Sequence, residues 1–182
     1  VPDPANVPGA RAGAVSWTDR SGNLWLFGGY GYAASVSGYL NDLWRWDGTN
    51  WTWVSGSNTI NQNGVYGTKG FPDPANVPGA REWAISWIDG DGNLLLLGGY
   101  GRDASGNWGY LNDLWRWDGA NWTWVSGSNA VNQHGIYGTK GALDPANVPG
   151  AREWAVSWID GSGNLLLFGG YGRDASGYAG FL

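Results

Sequence analysis

Apolar residues in this chain come in short bursts separated by Gly, Asp and Asn, and no burst extends into a stripe at helical spacing. Residues 82–88 (Glu-Trp-Ala-Ile-Ser-Trp-Ile) are β-branched and aromatic and predict a strand. Asp89-Gly90-Asp91-Gly92 predicts a turn, because Asp and Gly tolerate positive φ. Residues 93–97 predict a second strand. Their unbroken run of leucines implies cover on both faces. Gly98-Gly99 is expected to end this strand, and a polar, Gly-rich loop is expected over 100–109. Residues 112–117 predict a third strand, Asp118-Gly119-Ala120-Asn121 a turn, and residues 122–125 a fourth strand. Four short strands joined by tight turns predict an antiparallel meander in an all-β protein.

The pattern repeats. Pro-Gly-Ala-Arg occurs at 8–11, 78–81 and 149–152, and Gly-Asn-Leu-x-Leu-x-Gly-Gly-Tyr at 22–30, 92–100 and 163–171. Leu-Asn-Asp-Leu-Trp-Arg-Trp-Asp-Gly occurs at 40–48 and 111–119. Residues 72–107 and 143–178 differ at only five positions, which implies one shared structure for the copies. The organisation expected is a first unit at 1–56, a connection at 57–78, a second unit at 79–127, a connection at 128–149, and the first two strands of a third unit at 150–182. The chain opens on Val1 and has no Met, which predicts a processed form or a piece of something longer.

The units resemble kelch repeats. Gly28-Gly29 is followed by Trp46 and Trp53, and Gly98-Gly99 by Trp117 and Trp124, the aromatic spacing that follows the kelch glycine doublet. Trp46 and Trp117 stand where kelch repeats usually carry Tyr. The stretch 81–127 has roughly the ~50-residue length of a kelch unit, whereas the ~40–45 residues and Gly-His signature of WD40 fit worse. Leu-Asn-Asp-Leu-Trp and Gly-Val-Tyr-Gly-Thr-Lys-Gly are similar to phrases in bacterial exported kelch-like proteins with extended repeats. The resemblance implies kelch-like β-propeller blades. Since propellers close with roughly 4–8 blades, it also implies an object incomplete as a single chain.

Composition narrows the chemistry. Aromatics are 15% and charged residues only 14%, the reverse of a disordered chain. The net charge of −5 argues against nucleic acid or an anionic membrane as partner. No apolar run reaches the ~18 residues of a membrane span, so no membrane insertion by a helix is expected. With no Cys, thiolate ligands, disulfides and cysteine nucleophiles are excluded. His134 is the one histidine and falls in a polar connection, which leaves little for a histidine-based catalyst. No cofactor is expected.

Few residues invite a site. Most of the 15 Trp are expected to pack between units. Trp108, absent from the first copy and expected in a loop, is the candidate for an exposed sugar-stacking ring, with Asn107 and Asp103 beside it. Asp89, Asp91 and Asn93 resemble the opening of a calcium loop, but no Glu closes it, and a plain hairpin turn competes. The Pro-Gly-Ala-Arg arginines are expected to pair with Asp42 and Asp113, since guanidinium suits bidentate carboxylate pairing. Asn50 and Asn121 open N-glycosylation sequons at turns. The function expected is a non-catalytic structural or interaction scaffold, extracellular or at the cell surface. Its partners would be further copies or adjacent blades of a longer chain, engaged through the incomplete blade. The alternatives are a glycan-binding module and a wall segment of a larger propeller enzyme.

Overall fold

The structure, a computed structural model, describes residues 3–182; Val1 and Pro2, which open the first expected unit, lie outside the described residues. It is all-β, built from antiparallel sheets. In the first unit β1 (Arg11–Ala12) and β2 (Val15–Thr18) both pair with β3 (Leu24–Ala33), which pairs with β4 (Val36–Trp46), which pairs with β5 (Trp51–Ser55). The second unit repeats this with β6 (Arg81–Glu82), β7 (Ile85–Ile88), β8 (Leu94–Arg102), β9 (Trp108–Trp117) and β10 (Trp122–Ser126). The third contains β11 (Arg152–Glu153), β12 (Val156–Ile159), β13 (Leu165–Phe168), β14 (Tyr171–Arg173) and β15 (Ala179–Phe181).

Four expectations need correction. The first strand of each unit is broken in two, because the residue between its halves takes positive φ: Gly13, Trp83 and Trp154. The second strand does not stop at its glycine doublet. In the first two units it runs on through a register shift, between Phe27 and Gly29 and between Leu97 and Gly99. The doublet is therefore a bulge, with φ of 65° at Gly98 and 95° at Gly99. The third strand begins earlier than expected: Trp108 pairs with Arg102, leaving only residues 103–107 as loop. By the same register β15 is the opening of a third strand, so the last unit holds more than two.

The doublet is also where units touch. A Cβ on Gly98 would lie 2.7 Å from the Arg152 carbonyl oxygen, and one on Gly28 would lie 2.8 Å from that of Arg81. No side chain fits at such distances. Glycine is required here both for its backbone angles and for the approach of the next unit.

Each sheet has two buried faces where a neighbour exists. Val15, Trp25 and Phe27 of the first unit pack with Leu94 and Leu96 of the second. Ile85, Trp87, Leu95 and Leu97 form the next layer, against Leu165 and Leu167 of the third unit. All of Leu94, Leu95, Leu96 and Leu97 are buried, as their unbroken apolar run implies. A fully buried Leu contributes about 1.5–3 kcal/mol, so this strand alone is a large part of the core.

The connection after the first unit is not a loose linker. Val65 bridges Val77, and Tyr66 is buried between Trp115 and Trp124 of the second unit. Lys69 donates to the Gly127 carbonyl and lies 4.2 Å over the Trp124 ring. This segment is a working part of the second unit's surface.

Candidate functional site

The residues singled out from sequence are used mainly for structure. Asp103 is buried, and its carboxylate accepts from the backbone N–H of Ser105, Asn107 and Val131 and from the Asn107 side chain. Burial pushes this carboxyl up, but those hydrogen bonds outweigh it and hold it below the usual range. Asn107 is exposed at the turn. Trp108 is half-buried on β9. Its ring lies 4.6 Å from Tyr39 and 6.5 Å from Tyr100, with the Arg102 guanidinium 4.2 Å over it. Trp108 therefore joins units across an aromatic seam instead of standing free in a loop.

Asp89 accepts from the N–H groups of Asp91 and Asn93 and from the Asn93 amide, and its pKa falls below the ordinary value because these bonds outweigh its partial burial. Asp91 lies exposed at the turn and contributes its backbone N–H. Asp19 and Asp160 repeat the arrangement. Carboxylate oxygens already turned to N–H donors form a hairpin clasp, and among the described residues no cluster of three His, Cys, Asp or Glu side chains could hold a metal ion. Asn50 and Asn121 sit in matching turns, where each backbone N–H donates to Asp47 or Asp118. His134 is exposed.

The arginine–aspartate pairs form as the sequence suggests. Arg11 meets Asp42 at 2.6 and 2.8 Å, and Arg81 meets Asp113 at 2.7 Å through both nitrogens. Arg81 also donates to the carbonyls of Gly79 and Gly98. Asp113 further accepts from the Tyr66 hydroxyl at 2.6 Å and the Trp115 indole at 2.7 Å. Burial and the adjacent carboxylate push the Tyr66 phenol well above its ordinary range. This network ties the connection, the broken first strand and the third strand into one knot.

The seam formed by the bent first strands is a different kind of surface, and sequence reasoning passed over it. The Trp83 N–H donates to the Gly13 carbonyl and the Trp154 N–H to that of Trp83, so the three bends lie side by side. Trp83 and Trp154 hold φ of 55° and 58°, a left-handed conformation that costs a non-glycine residue about 1–2 kcal/mol. Both rings are exposed, 6.4 Å apart and edge to face. Beside them are Glu82 and Glu153. Burial lifts Glu153 to about 7, with the nearby charge of Glu82 adding to it. Burial also lifts Glu82, even though the Tyr39 hydroxyl donates to it, and Tyr39 itself is pushed up to about 12 by burial and by Glu82. The signal was present: the first copy reads Ala12-Gly13 where the others read Glu-Trp. Strained, exposed indoles beside carboxyls lifted by burial can stack on a flat polar ligand and hydrogen-bond its edge.

No protein-family model matches the chain, and no curated protein matches it.

Proposed function

We propose that this chain is a structural scaffold that extends by adding units of its own kind head to tail, at the cell surface or outside the cell. One observation carries the reading. The face of the third unit that corresponds to a buried face in the second is exposed: Trp158 is 48% exposed where Trp87 is 7%, and Phe168 is 70% exposed where Leu97 is 6%. At the other end, Leu24 is exposed where its counterpart Leu94 is fully buried. Among the described residues, the outer faces of the first and third units therefore match the two halves of the junction used twice between them, and a further unit, from a longer chain or from another copy, would cover each. Such unlike, mutually complementary faces form a heterologous contact, which closes into a ring or grows as a filament according to its rotation. Four-stranded meanders carrying a glycine doublet support kelch-type β-propeller blades as the unit, and the near-identity of the copies suits a scaffold better than a catalyst. Light scattering across a concentration series tests this. We expect masses at multiples of 19.5 kDa, with Trp158→Asp reducing them to the monomer. A monomer at every concentration would overturn the reading.

A second reading, glycan binding, is favoured by Trp83 and Trp154, exposed in a strained conformation beside Glu82 and Glu153. Quenching of Trp fluorescence by a panel of oligosaccharides, lost in Trp154→Gly, would support it. No response to any member of the panel would sink it.

A further inference from the structure

The single histidine and one of the two lysines open on the same pocket. Its volume is about 300 Å³, and Lys69, Ser128, Gln133, His134, Ile136 and Val148 stand on its walls. No Asp or Glu lines it, although the chain carries a net charge of −5. Among the described residues the ion pairs are Arg11–Asp42 and Arg81–Asp113, so neither Lys69 nor His134 has a carboxylate partner. Two of these wall residues also depart from the repeat. Residues 56–70 and 127–141 differ only at Thr59/Ala130, Ile60/Val131, Asn63/His134 and Val65/Ile136. The pocket belongs to an interior junction, with walls drawn from residues 69–148. Val65 is 49% exposed with a complete second unit beyond it, against 54% for its counterpart Ile136, and Asn63 is exposed like His134. A further unit therefore leaves the pocket open.

The donors on these walls are held in place and only partly used. Lys69 donates one N–H to the Gly127 carbonyl at 2.7 Å, and its Nζ lies 4.2 Å from the centre of the Trp124 ring. An ammonium has three donors, so others remain for a ligand. The Ser128 hydroxyl oxygen accepts from the Ala130 N–H, which leaves its proton to donate. The His134 ring has no hydrogen-bond partner among the described residues. The turn at 174–178 lies against His134, where a Cβ on Gly177 would be 3.8 Å from Nδ1. The charges of that turn are engaged: the Asp174 carboxylate accepts from the N–H groups of Ser176 and Tyr178, and the Arg173 guanidinium donates to the Gly177 carbonyl. Ile136 and Val148, joined by a backbone bridge, supply an apolar wall. The structure assigns this pocket to a small organic oxyanion. Lys69, His134 and Ser128 donate to its carboxylate or phosphate head, and Ile136 and Val148 receive a short apolar body. Hydrogen bonds to an ionised head are roughly twice as strong as neutral ones, and a lysine already held in place loses less freedom on binding.

The test uses the full chain, with butyrate and inorganic phosphate as probes. A single histidine gives a single set of imidazole proton signals, so NMR follows His134 directly. Saturable shifts are expected, with half-saturation on the order of 1–10 mM, and the anion that binds more tightly names the head group. Butyrate, ionised throughout, should bind more tightly at pH 6 than at pH 8, because imidazole gains its charge in that interval. Lys69→Met should weaken binding roughly tenfold or more, as for a lost hydrogen bond to a charged group, and Lys69→Arg should restore most of it. His134→Asn puts there the residue that Asn63 supplies in the preceding copy, so the fold is not at stake. Calorimetry on this variant should show weaker butyrate binding without the pH dependence, and it decides the matter if Lys69→Met fails to fold. Shifts that do not saturate, an equal response to sodium chloride, or unchanged binding in His134→Asn would each overturn the site.

Discussion

The Arg81 guanidinium grips the Asp113 carboxylate through two parallel hydrogen bonds of 2.7 Å, and neither side chain is exposed to solvent. Arg11 and Asp42 repeat the contact with slightly more exposure, 5% and 8%, and without a tyrosine on the acid. Removing one member of a buried pair strands the other. Asp113→Ala is expected to cost about 3–5 kcal/mol. Asp42→Ala should cost less. Urea denaturation of both variants checks the order, and an Asp42 variant as damaging as the Asp113 variant would contradict it.

Tyr66 reaches this pair from outside the sheet. Tyr66→Phe keeps the ring between Trp115 and Trp124 but takes one hydrogen bond from a buried carboxylate. A loss of about 1.5–3 kcal/mol follows, as for hydrogen bonds to charged groups. Thermal unfolding with no shift would show that another donor replaces it.

Glu153 gives the protein a pH dependence of known sign. Its folded pKa of about 7 lies above the ordinary carboxyl value of 4.5, so the folded state holds a proton that the unfolded state has released. Stability should therefore fall as pH rises from about 4.5 to 7 and then level off. Glu153→Gln removes this slope. Melting temperatures of the parent and the variant should nearly coincide at pH 4 and separate at pH 8, with the variant higher. A variant that melts lower at pH 8 would refute this.

Trp154 pays for its conformation in backbone strain. The corresponding residue of the first copy is Gly13, at φ 64°. Trp154→Gly is expected to raise stability by about 1 kcal/mol, because the ring it loses is more than half exposed. Denaturant titration measures it, and a destabilised variant would mean that the edge contact with Trp83 outweighs the strain.

Much of the fold could be read in advance because its signals are local. Leu94 to Leu97 declare a two-sided strand by hydrophobicity alone, and Asp89 and Asn93 declare a hairpin by their turn chemistry. The Arg81–Asp113 pair was legible because both residues recur in step. The doublet misled because Gly98-Gly99 looks like a strand end by composition. Only the pairing register, which shifts between Leu97 and Gly99, reveals it as a bulge. Trp108 misled because its loop is short once Arg102 pairs with it, and pairing registers are not local. The positive φ of Trp83 could not be read from an indole, which gives no local preference for that conformation; comparison with Gly13 was the available clue. Tyr66 belongs to a connection whose partners lie on the following unit, beyond the reach of any window on the sequence.

The glycine doublet meets the arginine carbonyl of the following unit in the same way at both internal junctions. Every seam is therefore interchangeable with every other. Excising or duplicating one whole period of the gene would leave each remaining boundary matched. Such a protein can change its reach by altering copy number while no single residue has to change.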